Sequence, residues 1–92
     1  MTHHNLKTHP KYFEETWQGR KQFEYRKNDR DFKEGDILHL WEWNPITREY
    51  TGRVVSTIAE YILYGGFSLP VSYCIISLSD LSKDTVGPED CP

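Results

Sequence analysis

The chain has 92 residues, enough for one small domain with a modest core and too few for an enzyme carrying its own cofactor-binding half. Apolar residues make up 37 %, charged residues 27 % and aromatic residues 14 %, a balance that predicts a folded chain and excludes a disordered one. The formal charge of −3 argues against binding duplex nucleic acid by charge alone. The mean conceals an asymmetry: residues 1–33 hold eight Lys or Arg against five Asp or Glu, and residues 34–92 hold three against nine. The first third therefore has the composition for a local basic surface.

No apolar run approaches the roughly 18 residues that cross a bilayer, and the opening residues lack the basic, apolar and small-residue order of a signal peptide. A cytoplasmic location without a membrane partner is the expectation. Cys74 and Cys91 are too few for a disulfide framework and are not spaced as a CxxC pair, so Cys74, within an apolar run, reads as core.

In chain order, a short opening strand is expected around His4 to Lys7. Thr8-His9-Pro10 reads as a helix start, because proline is tolerated where first-turn N–H groups have no helical partner, and Thr8 or His9 suits the cap. The helix should run to about Gln18, with Phe13 and Trp17 on one face and Gly19 ending it in the left-handed conformation. Gln22 to Arg26 alternates polar and aromatic as a half-buried strand does, and Lys27-Asn28-Asp29-Arg30-Asp31 reads as a polar turn. After the Gly35-Asp36 turn, Ile37 to Trp43 has strong strand propensity and Asn44-Pro45 ends it. Tyr50 to Leu63 predicts a long strand bent near Gly52, and Val71 to Ser79 another after a Gly65-Gly66 loop. The expected organisation is one domain over residues 1–79 and a polar, flexible tail over 80–92. The element order predicts a mainly β, α+β fold: a small curled sheet or barrel with one N-terminal helix packed on it.

The chemistry-bearing stretch is Gly19 to Arg26, which sets Lys21, Glu24 and Arg26 at a helix-to-strand junction. In a strand Glu24 and Arg26 share a face about 6.6 Å apart, so a carboxylate and a guanidinium can line one wall, whereas strict alternation puts Lys21 on the opposite face. His3, His4 and His9 have no carboxylate or cysteine at ligand spacing and read as solvated terminal residues, so no metal and no cofactor is expected.

Gly19, Lys21, Glu24 and Arg26 match the GxKxxExR signature, and the chain resembles the ASCH domains of the PUA-like superfamily. Leu6-Lys7, the Pro10 to Trp17 helix, Gly35-Asp36, Tyr50-Thr51-Gly52-Arg53 and Gly66 to Ser79 extend the similarity, toward a small bacterial and phage branch. The resemblance implies a PUA-like β-barrel whose signature lines a cleft, and a role in binding RNA or a modified nucleotide as partner. Lys21, Arg26 and Arg53 would then meet phosphate, Glu24 would accept from a base or sugar, and Tyr25, Trp41 or Trp43 would stack on a base.

Two alternatives stand beside that reading. Some ASCH-like proteins resemble amide hydrolases acting on acetylated cytidine through a lysine, a threonine and a glutamate. Here Glu24 occupies the threonine position, so catalysis would use Glu24 as general base on water and Lys21 to polarise the amide carbonyl. In the other, Glu24 and Arg26 are a structural ion pair and the aromatics are core. Arg53 likewise has a second reading, a rim salt bridge to Glu42 or Glu60. A monomer is the default expectation.

Overall fold

A computed structural model describes residues 1–66 and 68–92. Phe67, within the Gly66 to Ser79 segment, lies outside the described residues. Strand β1 (His3–Thr8) leads into helix α1 (Pro10–Trp17), followed by β2 (Phe23–Lys27), β3 (Ile37–Asn44), β4 (Glu49–Gly66) and β5 (Leu69–Thr85), with a 3₁₀ turn at Pro88–Asp90. The strands form one sheet in the order β1-β3-β4-β5-β2, in which β1 runs parallel to β3 and the remaining pairs are antiparallel. No helix among the described residues is long and apolar enough to cross a membrane.

The mainly β, α+β class is as expected, but the barrel is not closed: β1 and β2 are the two edges, with no ladder between them. The reason lies in what reaches the β1 edge. Arg26 Nη2 donates to the Lys7 carbonyl (2.9 Å) and Arg30 Nη1 to the Asn5 carbonyl (2.8 Å), two alternate acceptors of one strand edge. Guanidinium groups on and just after β2 thus meet carbonyls that a closing strand would otherwise pair. The sheet curls until its edges are a side chain apart and is joined there by arginines.

An isolated eight-residue helix is unstable in water, so packing must hold α1. Phe13 is fully buried, worth about 2–3 kcal/mol, and sits in one core with Leu6 of β1, Leu40 of β3, Val55 of β4 and Ile76 of β5. His9 caps the helix through backbone geometry alone, and Gly19 follows it at φ +79°. Cys74 is part of the same core.

Two expectations about the chain ends are corrected. Residues 80–85 are not a frayed tail: β5 continues to Thr85, paired with Arg53, and Val86 N–H donates to the Gly52 carbonyl at 2.9 Å. That contact needs Gly52, whose φ is +98° and whose missing Cβ would lie 2.5 Å from the Val86 carbonyl oxygen. Nor are the N-terminal histidines all solvated. His4 is buried with its Nε2 2.8 Å from Asp36 Oδ2, because the parallel pairing of β1 with β3 carries it inside.

Candidate functional site

The seam between β1 and β2 opens into a cleft of about 680 Å³. One wall comes from Lys7, Thr8 and His9 at the exit of β1 and from Tyr12 of α1, the other from Lys21, β2 and Tyr73 of β5.

Glu24 is the pivot. It is 3 % exposed, and a carboxylate so far from water needs paired charge. Lys21 Nζ donates to its Oε1 at 2.7 Å and Arg26 Nε to its Oε2 at 2.9 Å. Lys21 also donates to the Phe23 carbonyl (2.8 Å), and Arg26 Nη2 reaches Thr8 Oγ1 (3.1 Å) besides Lys7. Strand alternation would have parted Lys21 from Glu24, but Lys21 precedes β2 and escapes that constraint. The chain reverses at Gly19, and the N–H groups of Arg20 and Lys21 both donate to the Glu15 carbonyl, which holds Lys21 against the helix exit.

The alternation of β2 places its polar members inside. Glu24 is buried while Phe23 and Tyr25 are 47 % and 49 % exposed. The reading of Tyr25 as core is therefore corrected: the paired carboxylate takes the inward position and both rings face out. Tyr25 stacks on Tyr73 with centroids 5.3 Å apart and planes 25° from parallel. Lys21, Arg26 and Lys27 set three cations against the single carboxylate of Glu24 in the lining, Lys7 contributing its backbone carbonyl while its ammonium lies over Trp43, in a chain of net −3.

Arg53 does not line this cleft. Its Nε and Nη2 donate to Glu42 at 2.9 and 3.0 Å, Nη2 also meets Glu14 at 3.0 Å, and its guanidinium lies 4.8 and 5.1 Å from the Trp17 and Phe13 rings. Its bonds to Glu42 hold Arg53 still more firmly protonated, against the opposing effect of burial. Burial of Glu42 opposes its ionisation, yet hydrogen bonds from Arg53 and Thr51 outweigh it and keep the carboxyl below its usual range. The pairing of Arg53 with Glu42 is the rim salt bridge, and it ties α1 to β3 and β4. Among the proposed stacking rings, Tyr25 alone is at the cleft. Trp41 is buried with its Nε1 donating to Asn5 Oδ1, and Trp43 packs edge-on to Tyr50 with Lys7 Nζ 4.0 Å from its ring.

Among the cleft residues that sequence reasoning missed are Lys7, Thr8, His9, Tyr12, Phe23 and Tyr73. Thr8 was legible only as part of a helix start, Tyr12 only as lying within the expected helix, and Tyr73 arrives through its long-range pairing with Lys27. No group of three or more potential metal ligands exists among the described residues.

Comparison with known proteins gives a family without a function. The chain is 44 % identical over 52 residues to the uncharacterized 12.9 kDa protein in the GpA 3′ region of Escherichia phage P2, an alignment covering 56 % of this chain and 46 % of that protein. The chain thus matches less than half the length of that relative. The family model described as Domain of unknown function (DUF3850) matches residues 3–78, a span from the start of β1 well into β5 that contains every cleft residue. The chain belongs to the DUF3850 family.

Proposed function

We propose that the cleft binds RNA or a modified nucleotide, and that the protein is a binding module. The observation that carries this reading is the lining itself, three cations to one carboxylate beside a stacked pair of half-open rings, in a chain whose overall charge is negative. Cations meet phosphate, which any nucleic acid presents, and an exposed ring offers a face to a base, which single-stranded or modified nucleotides present and duplexes hide. The similarity of Gly19, Lys21, Glu24 and Arg26 to the ASCH signature points the same way.

The hydrolytic alternative uses the same residues, and their geometry favours it less. Each oxygen of Glu24 already accepts from a cation, and the ammonium of Lys21 is engaged by Glu24 and the Phe23 carbonyl. Glu24 thus acts first as the anchor that fixes two cations at the mouth of the cleft, a preorganising role that binding needs.

The test is an NMR titration of the labelled protein with cytidine monophosphate, acetylated cytidine and a short single-stranded RNA, with product read by mass spectrometry. Binding predicts shifts at Lys21, Glu24, Tyr25 and Arg26 with ligand unchanged. Lys21→Ala should weaken binding about tenfold, the loss of one charge-assisted contact, and should lower the log–log salt slope for single-stranded RNA by about 0.7. Release of acetate, abolished by Glu24→Gln in a folded protein, would establish the hydrolase instead. Absence of both shifts and product at millimolar ligand would end the nucleotide reading.

A further inference from the structure

The outer face of the sheet carries apolar side chains that the core does not use. Cross-strand partners share a face, and two neighbouring registers of β2, β5 and β4 read Phe23–Ser77–Tyr61 and Tyr25–Ile75–Leu63. The intervening residues Glu24, Ile76 and Ile62 are buried, so these registers point away from the core. Phe23, Tyr25, Tyr61 and Leu63 are 47–60 % exposed, and neither register contains a charged residue. Clustered exposed rings on a small protein mark an interaction surface.

The charges at its β2 border are basic and bear on the partner, while Glu60 beside Tyr61 and Glu34, whose Oε2 accepts from the Ile62 N–H at 3.1 Å, stand at the β4 border. Lys21 Nζ lies 5.1 Å from the centre of the Phe23 ring at one end of β2, and Lys27 stands one register beyond Tyr25 at the other. An apolar protein surface docked here would strip water from Lys27 without pairing it, and from the exposed remainder of Lys21, which Glu24 and the Phe23 carbonyl already hold, whereas a polyanion pairs Lys27 as it covers the rings. The spacing adds a second constraint. Phe23 and Tyr25 are two residues apart on a strand, about 6.6 Å, or twice the roughly 3.4 Å per-strand rise of a stacked duplex. Bases seated on both rings must be unstacked from each other, as in an extended single strand.

We propose that the outer face of β2, β5 and β4 is a stacking platform for single-stranded nucleic acid, continuous with the cleft through Phe23 and Tyr25, which border both. The inference rests on the nucleotide reading of the cleft and extends it from one nucleotide to several. Tyr61 and Leu63 lie outside the cleft lining, so they report on the platform alone.

The experiment compares the affinity of cytidine monophosphate and of a six-nucleotide oligocytidylate for the wild type, Tyr61→Ser, Leu63→Ser and Lys21→Ala. The hexamer is expected to bind at least tenfold more tightly than the mononucleotide, the gain of one stacked base. Tyr61→Ser should remove most of that gain and Leu63→Ser part of it, with mononucleotide affinity unchanged in both, while Lys21→Ala weakens both ligands. Equal binding of hexamer and mononucleotide, or an unaltered hexamer affinity in Tyr61→Ser, overturns the platform while leaving the cleft reading standing. Loss of mononucleotide binding altogether is a failure of the cleft reading and appears in the wild type before any variant is made. Sedimentation of the free protein supplies the remaining outcome: a dimer that Tyr61→Ser dissociates assigns this face to a second copy of the chain and overturns the proposal.

Discussion

Replacing Glu24 by Gln tests whether the cleft is built around a paired carboxylate. The change keeps size and shape but offers one acceptor oxygen where two cations now donate, at 2.7 Å from Lys21 and 2.9 Å from Arg26. The amide NH₂ must face one of them, so a charge-assisted bond is lost and a cation is left opposite a donor. One hydrogen bond to a charged group contributes about 1.5–3 kcal/mol, and breaking a fully buried pair costs about 3–5 kcal/mol. The side chains of Lys21 and Arg26 retain 17 % and 24 % exposure, so water relieves part of that loss and the lower range applies. We expect about 2 kcal/mol, roughly a 30-fold drop in the folding constant, read as a lower urea midpoint at unchanged slope. In the cycle with Lys21→Met, the double variant should lose clearly less than the sum of the two singles, because the two changes share one bond. A loss below about 0.5 kcal/mol, or strictly additive singles, would refute the idea that Glu24 holds the cations in place.

Arg53→Met should destabilise the protein by about 2 kcal/mol, because Glu42, whose side chain is 7 % exposed, then keeps only Thr51 as a partner; a thermal melt checks this, and nucleotide affinity should not change. Gly52→Ala should cost about 2–3 kcal/mol by the same melt, since a Cβ there would lie 2.5 Å from the Val86 carbonyl oxygen at a φ of +98°. Stability should also fall toward acid in two steps. Burial first, and the neighbouring His3 second, hold the His39 imidazole below its ordinary 6.5. The unfolded chain therefore takes that proton first, and stability is full above pH 6.5 and declines as pH drops through the depressed folded value. Asp36 follows at lower pH: burial opposes its ionisation, but bonds from His4 and from the Lys33 and Thr2 N–H groups hold it below 3.8, so its contribution is present above that value and lost beneath it. Urea midpoints from pH 7 to 3 should show both limbs, His39→Gln flattening the first and Asp36→Asn the second; a flat profile between pH 7 and 5 would contradict the first.

Local signals in the sequence served well wherever a single residue dictates backbone geometry. Pro10 opens α1 and Gly19 follows its C-cap Gln18, and Gly52 takes the positive φ in β4, because a ring-locked φ or a missing Cβ leaves its mark on the backbone at that residue. The edges of the sheet were not legible, because whether β1 and β2 pair is decided by side chains from the turn after β2, Arg30 among them, reaching across 25 residues. The site was legible in its members and not in its orientation. Periodicity announced that β2 has two faces, and the usual preference would put Phe23 and Tyr25 inside. Pairing Glu24 with Lys21 and Arg26 reverses that preference. Arg53 had two readings of equal standing until the fold carried Glu42 and Glu14 to it.

The arginine-joined seam gives the cleft a freedom that a laddered barrel would lack. Main-chain ladders fix the distance between neighbouring strands at about 4.8 Å, whereas Arg26 and Arg30 hold β1 through rotatable side chains that can lengthen their reach or let go one at a time. The mouth can therefore change width while every strand keeps its register. An anion that draws Arg26 away from Lys7 and Thr8 would loosen the wall it binds against, coupling occupancy of the cleft to the mobility of the first eight residues.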